Sequence, residues 1–141
     1  MKIICVCASA TDQSVWCGLL AAALPQAQIV AWRDDAPACD ADIAVVWKPP
    51  AALFERERKL RAVFNLGAGV DSLLGLSGLP GHVPIVRLED AGMAVQMAEY
   101  VAHHAVRASR RFDEYEALQW AGQWRALPET DRRQWPVGVL G

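Results

Sequence analysis

The chain has 141 residues, 53% of them hydrophobic and 21% charged, with a formal net charge of −2. That length suits one compact domain whose core needs neither a disulfide nor a metal to hold it. High apolar content at low net charge excludes intrinsic disorder. The near-neutral balance argues against a nucleic-acid or membrane-surface partner, for which a basic patch is expected.

The chain opens on Lys2–Ala8, an apolar β-branched run that predicts a buried strand. Its apolar core is shorter than the roughly 7–15 residues of a signal-peptide h-region. Cys5 and Cys7 alternate along it and share one face. With Cys17 and Cys39 they form no C-x-x-C pair and have no histidine at zinc-ligand spacing, so they read as free thiols of a reduced, cytoplasmic protein. From Gln13 to Trp32 there is no charge, yet Pro25, Gln26 and Gln28 interrupt the run, which excludes a membrane span. Thr11, Asp12 and Ser14 supply helix-start chemistry, and Val15, Trp16, Leu19, Leu20 and Ala23 recur at helical spacing as far as Pro25.

Ile29–Trp32 predicts a second strand and Ile43–Trp47 a third, apolar throughout and therefore covered on both faces. Pro49 and Pro50 introduce a helix over about Ala51–Lys59, with Leu53, Phe54 and Leu60 inward and Glu55, Arg56, Glu57, Arg58 and Lys59 on a solvated face. Ala62–Leu66 and Pro84–Leu88 complete five strands. Strands alternating with helices on short loops indicate an α/β fold, a flavodoxin-like doubly wound parallel sheet. From Gly92 to Ala121 there is no proline, and Met93, Met97, Val101, Ala105 and Phe112 predict one long helix. Beyond it Trp120, Trp124 and Trp135 lie on a polar, irregular arm suited to docking on another surface. Pro136–Gly141 reads as the start of a further buried strand.

Gly67-Ala68-Gly69-Val70-Asp71 directly follows the fourth strand. Glycines there let the backbone turn sharply and leave N–H groups facing a ligand, and a short helix after them favours an anion such as a carboxylate. A dinucleotide fingerprint is excluded, because the third glycine of G-x-G-x-x-G falls on Ser72. Strand ends on one side of a parallel sheet share a crevice, so Trp47 and Gly67–Gly69 are expected to line one pocket. His103 and His104 are helix neighbours that point about 100° apart and cannot chelate one ion together. No catalytic residue and no metal ligand is assigned within the chain.

VWKPP (Val46–Pro50), AVFNLGAGVDSLL (Ala62–Leu74), PIVRLEDAGMAVQMAEYV (Pro84–Val101), RRFDEY (Arg110–Tyr115) and VGVLG (Val137–Gly141) occur in that order. The series resembles the D-isomer-specific 2-hydroxyacid dehydrogenase family, most closely its glyoxylate/hydroxypyruvate reductase branch. The resemblance implies reduction of a small 2-oxo acid with NAD or NADP, NADPH being favoured. It implies that Leu66, Gly67, Ala68 and Gly69 offer backbone N–H groups to the substrate carboxylate, and that Trp47 lines the substrate pocket. Met93 and Gln96 would border the nicotinamide at the start of an interdomain helix, although many members carry Ser or Thr at the place of Gln96. Gly141 would be the first glycine of the cofactor fingerprint.

The family's catalytic Arg, Glu and His match nothing up to residue 141, which implies the N-terminal part of a longer enzyme, inactive alone. The domains implied are a substrate-binding domain over 1–91, an interdomain helix and dimerisation arm over 92–135, and the start of a Rossmann domain over 136–141. A homodimer is expected. The alternative reading is a non-catalytic carboxylate-binding or dimerisation module. A receiver-type signalling domain shares the fold but needs an acidic cluster after the first strand, where this chain has Ala8-Ser9-Ala10.

Overall fold

The apolar runs form strands and the amphipathic stretches between them form helices. A computed structural model describes residues 1–129 and 131–138. The chain divides into two units, Met1–Asp90 and Ala91–Gly141.

In the first unit β1 (Lys2–Cys7), β2 (Gln28–Ala31), β3 (Ile43–Trp47), β4 (Ala62–Asn65) and β5 (Ile85–Arg87) alternate with α1 (Ala10–Ala23), α2 (Ala52–Arg56) and α3 (Asp71–Leu74). All neighbouring strands are parallel, in the order β2-β1-β3-β4-β5, the flavodoxin-like doubly wound arrangement. Residues alternate between the two faces along each strand. On one face Ile4, Val6, Ala44, Val46 and Val63 pack with Leu53 and Phe54 of α2, Leu73 of α3, Leu60 and Val83. On the other, Ile3, Cys5 and Val45 are also buried. Val45, Phe64 and Val86 are direct cross-strand partners on that face, but Phe64 and Val86 remain exposed. The third strand is therefore covered on both sides, as its unbroken apolar run predicts. Ser9 caps α1 by accepting a hydrogen bond from the Asp12 amide.

The helix after Pro50 is shorter than its charge pattern predicts. It ends at Arg56, and Glu57 turns inward instead of joining a solvated face. Glu57 is only 1% exposed. Its carboxylate accepts from the Cys39 amide at 2.8 Å and the Ala41 amide at 2.9 Å. The charge is thus spent on two backbone donors of the segment entering β3, which offsets the cost of burying it.

In the second unit the expected single helix over 92–121 is two. α4 (Met93–Ser109) ends at Arg110, Arg111 adopts a left-handed conformation at φ 55°, and α5 (Phe112–Trp120) starts afresh. The bend is held by charge. Arg107 pairs with Asp113 and Glu116, and Arg111 with Glu114. No residue of α4 is buried within the described structure. A groove of about 970 Å³ lies among Val106, Phe112, Tyr115, Leu127 and Trp135. The strand expected from residue 136 onward is not formed over its described part, 136–138, where Val137 is exposed. Residues 139–141 of that expectation lie outside the described residues.

Candidate active site

The register of the sheet brings two strand ends together. Cys7 pairs with Trp47, and Val46 with Asn65, so β3 and β4 finish side by side. The Leu66 amide extends the ladder by donating to the Val46 carbonyl at 2.9 Å. The chain then leaves the sheet through Gly67–Val70 and enters α3.

Trp47 and Gly67 are in direct contact. A Cβ on Gly67 would lie 2.2 Å from Cζ3 of the Trp47 indole. At Gly69 nothing stands within 4 Å of such a Cβ, so the turn is open there. Neither glycine has a positive φ. Gly67 is required by the closeness of the indole and not by a left-handed backbone, a correction to the usual reading of G-x-G turns. Trp47 itself is 38% exposed, with the Lys48 ammonium 5.7 Å from its ring centroid. Lys48 is one of the non-glycine residues with positive φ, at 51°. It turns the chain toward Pro49, which is buried.

Asn65 is the residue whose part in this site its sequence does not announce. It is 7% exposed, and its side-chain amide donates to the Gly67 carbonyl and the Gly69 carbonyl, each at 2.9 Å. The Leu88 amide also donates to the Gly67 carbonyl, at 3.3 Å. The Gly67 and Gly69 carbonyls are therefore engaged by the protein. Among the described residues, the amides of Gly67, Ala68, Gly69 and Val70 meet no acceptor. An array of unpaired N–H groups beside an indole is suited to a small carboxylate.

The second unit carries Met93 and Gln96 one turn apart at the start of α4, behind Gly92 at φ 83°, and both are exposed. Gly141 lies outside the described residues. No dinucleotide cradle exists among the described residues. The turn after β1 is Ala8-Ser9-Ala10, without glycine, and Ser72 stands where the fingerprint after Gly67 needs one. His103 and His104 meet edge-on with ring centroids 5.1 Å apart, and the Tyr100 ring lies tilted against His104 with centroids 4.3 Å apart. Among the described residues no group of three metal-ligating side chains comes together. No helix among them is long and apolar enough to cross a membrane.

No protein-family profile matches the chain. Individual proteins do. Glyoxylate/hydroxypyruvate reductase A of Citrobacter koseri is 45% identical over 139 residues, 92% of this chain and 43% of that protein. Its counterpart in Serratia proteamaculans is 44% identical over 89% of this chain. The fold agrees. The NADPH-dependent glyoxylate/hydroxypyruvate reductase of Sinorhizobium meliloti, solved with NADP and sulfate, superposes with a TM-score of 0.74 at 32% identity over 92% of this chain. A D-isomer-specific 2-hydroxyacid dehydrogenase of Xanthobacter autotrophicus, solved with NADPH, gives 0.72 at 34% identity.

By sequence and fold alike, this chain is a relative of the D-isomer-specific 2-hydroxyacid dehydrogenases. It spans about two-fifths of the length of the dehydrogenases it matches.

Proposed function

We propose that the chain is the substrate-carboxylate-binding portion of an NADPH-dependent 2-hydroxyacid dehydrogenase that reduces glyoxylate or hydroxypyruvate to the 2-hydroxy acid. The observation that carries this reading is the Gly67–Val70 turn. Its Gly67 and Gly69 carbonyls are held by Asn65 and Leu88 while its amides stay open beside the Trp47 indole. The reductases it resembles give the reaction class and, for those solved with NADP or NADPH, the cofactor.

In this reading the open amides of the Gly67–Val70 turn hold the carboxylate and fix its orientation. Leu66, expected from the sequence to join them, is corrected, because its amide is engaged by the Val46 carbonyl. Trp47 walls the pocket and excludes water from the 2-oxo carbon. Met93 and Gln96 border the nicotinamide. The cradle for the dinucleotide and the acid that protonates the carbonyl oxygen come from sequence that has no counterpart here. Residues 1–91 serve as the substrate domain, 92–135 as interdomain helix and dimerisation arm, and 136–141 as entry to the cofactor domain. The working assembly is a homodimer.

The test has two parts. Oxamate, a non-reactive 2-oxo-acid mimic, is titrated into ¹⁵N-labelled protein, and the amides of residues 67–70 should shift saturably. The chain is then joined to the part of the Citrobacter koseri enzyme that it does not match, and glyoxylate-dependent NADPH oxidation is followed. Amide shifts elsewhere, or none, would remove the carboxylate site. The 141 residues alone should show no turnover, and turnover by them would overturn the division of labour.

A further inference from the structure

We infer that Asn65 is the positioning residue of the turn, its buried side-chain amide setting the direction of the Ala68 and Val70 N–H groups that face the ligand. The inference rests on the carboxylate reading above.

Asn65 closes β4, with Val46 and Arg87 as its cross-strand partners. Its Nδ2 carries two N–H groups, and they go to two alternate peptide groups, the carbonyls of Gly67 and Gly69 at 2.9 Å each. Every peptide bond of the described chain is trans. In a trans peptide the carbonyl and the following N–H point in opposite directions. Drawing the Gly67 and Gly69 carbonyls down onto the buried amide therefore turns the Ala68 and Val70 N–H groups away from it. Neither N–H has an acceptor among the described residues. An ordinary side-chain cap satisfies one orphan backbone group. Here one atom holds two alternate peptide planes, and only an amide of this length does both. Ionised aspartate has no proton to give, serine has one, and glutamine is a methylene longer.

The substitution that isolates this role is Asn65→Asp, which keeps shape and removes the donors. Its carboxylate would face two carbonyl oxygens, so the turn should open and oxamate affinity should fall by about tenfold or more at about pH 8. As the pH falls, the buried carboxyl takes up a proton, regains one donor, and binding should recover in part. A residue that merely fills space would show no such pH profile. Where wild type binds oxamate and folded Asn65→Asp binds equally well, or is weakened equally at every pH, the positioning role is overturned and the carboxylate site stands. Should wild type itself fail to bind, the site and this inference fall together. If Asn65→Asp does not fold, Asn65→Ser carries the test. It should bind about tenfold more weakly, with the ¹³C resonance of one of the two carbonyls displaced, and unchanged affinity would overturn the role.

Discussion

The indole of Trp47 occupies the space into which any side chain at Gly67 would grow, its Cζ3 lying 2.2 Å from the place of a Cβ. Gly69, two residues on, faces nothing within 4 Å. Two glycines of one short turn are thus glycine for different reasons, and substitutions should separate them. Gly67→Ala must displace the indole or the turn, so both the melting temperature and oxamate affinity should fall. Gly69→Val should melt as wild type does yet bind oxamate about tenfold more weakly, equivalent to about 1.4 kcal/mol, because its side chain enters the open side of the turn. Equal behaviour of the two variants in calorimetry and titration would contradict this distinction.

A buried carboxylate holding two amides makes Glu57 a point of fragility. Glu57→Gln keeps one acceptor oxygen but sets an N–H group against a backbone donor, and should lower the unfolding free energy by about 1–3 kcal/mol. Glu57→Ala leaves both the Cys39 and Ala41 amides without this partner and should cost more. Urea unfolding curves measure both. A loss within error for Glu57→Ala would show that water replaces the carboxylate without penalty.

Lys48 adopts φ 51° at the mouth of the site. A β-branched residue is much harder to hold there than glycine. Lys48→Val should therefore be less stable than Lys48→Gly by about 1–2 kcal/mol. Equal denaturation midpoints would mean that the backbone relaxes around the valine.

Burial and the neighbouring Cys17 and Cys7 thiols push the Cys5 thiol far above its ordinary value of 9.0. The folded chain then keeps Cys5 protonated where the unfolded chain ionises it. Its contribution to stability is complete below pH 9.0 and is lost as the pH rises toward the folded-state value. Urea midpoints measured across this range should fall with increasing pH, and Cys5→Ala should flatten that slope. A slope that the substitution leaves unchanged would assign the loss to other groups.

Trp120 and Trp124 are 91% and 103% exposed, and Met93, Val95, Met97, Tyr100 and Val101 of α4 are exposed as well. An apolar set of this kind suits the homodimer proposed above, since closed two-fold dimers are the commonest symmetric assembly. Sedimentation at micromolar concentration should give a dimer for wild type, and a shift toward monomer for Trp120→Ala/Trp124→Ala. A wild-type monomer would end the dimer proposal.

The third strand was legible because an inner strand of a parallel sheet is covered on both faces and so writes itself as an unbroken apolar run. Ile43–Trp47 is bounded by the same residues in sequence and structure. That Trp47 lies near Gly67 followed from strand ends sharing one edge of such a sheet, but the indole filling the space beside Gly67 did not. Glu57 was not legible, since a charge run looks the same whether or not one member turns inward, and only the tertiary approach of Cys39 and Ala41 rewards it. The break at Arg111 was hidden for a related reason. No glycine or proline marks it, and arginine takes the left-handed conformation with Arg107 and its own side chain tied to the acidic start of α5. Asn65 was a lone polar residue ending an apolar strand, a signal that becomes readable only beside the G-x-G turn it serves.

The strand order has a consequence for how the chain comes to be folded. β2 is joined to the sheet through β1 alone, and β1 must also find β3, pairing Ile3 with Ile43 across 40 positions, whereas β3 meets β4 by pairing Ile43 with Ala62. The closer pair closes the smaller loop and loses less chain entropy, so β3–β4 is the natural nucleus. β1, synthesised before β3, is then among the last strands to be seated. Until Trp47 has emerged, Ile3, Ile4 and Val6 have no β3 to pair with, and the nascent chain carries an adhesive segment throughout that interval.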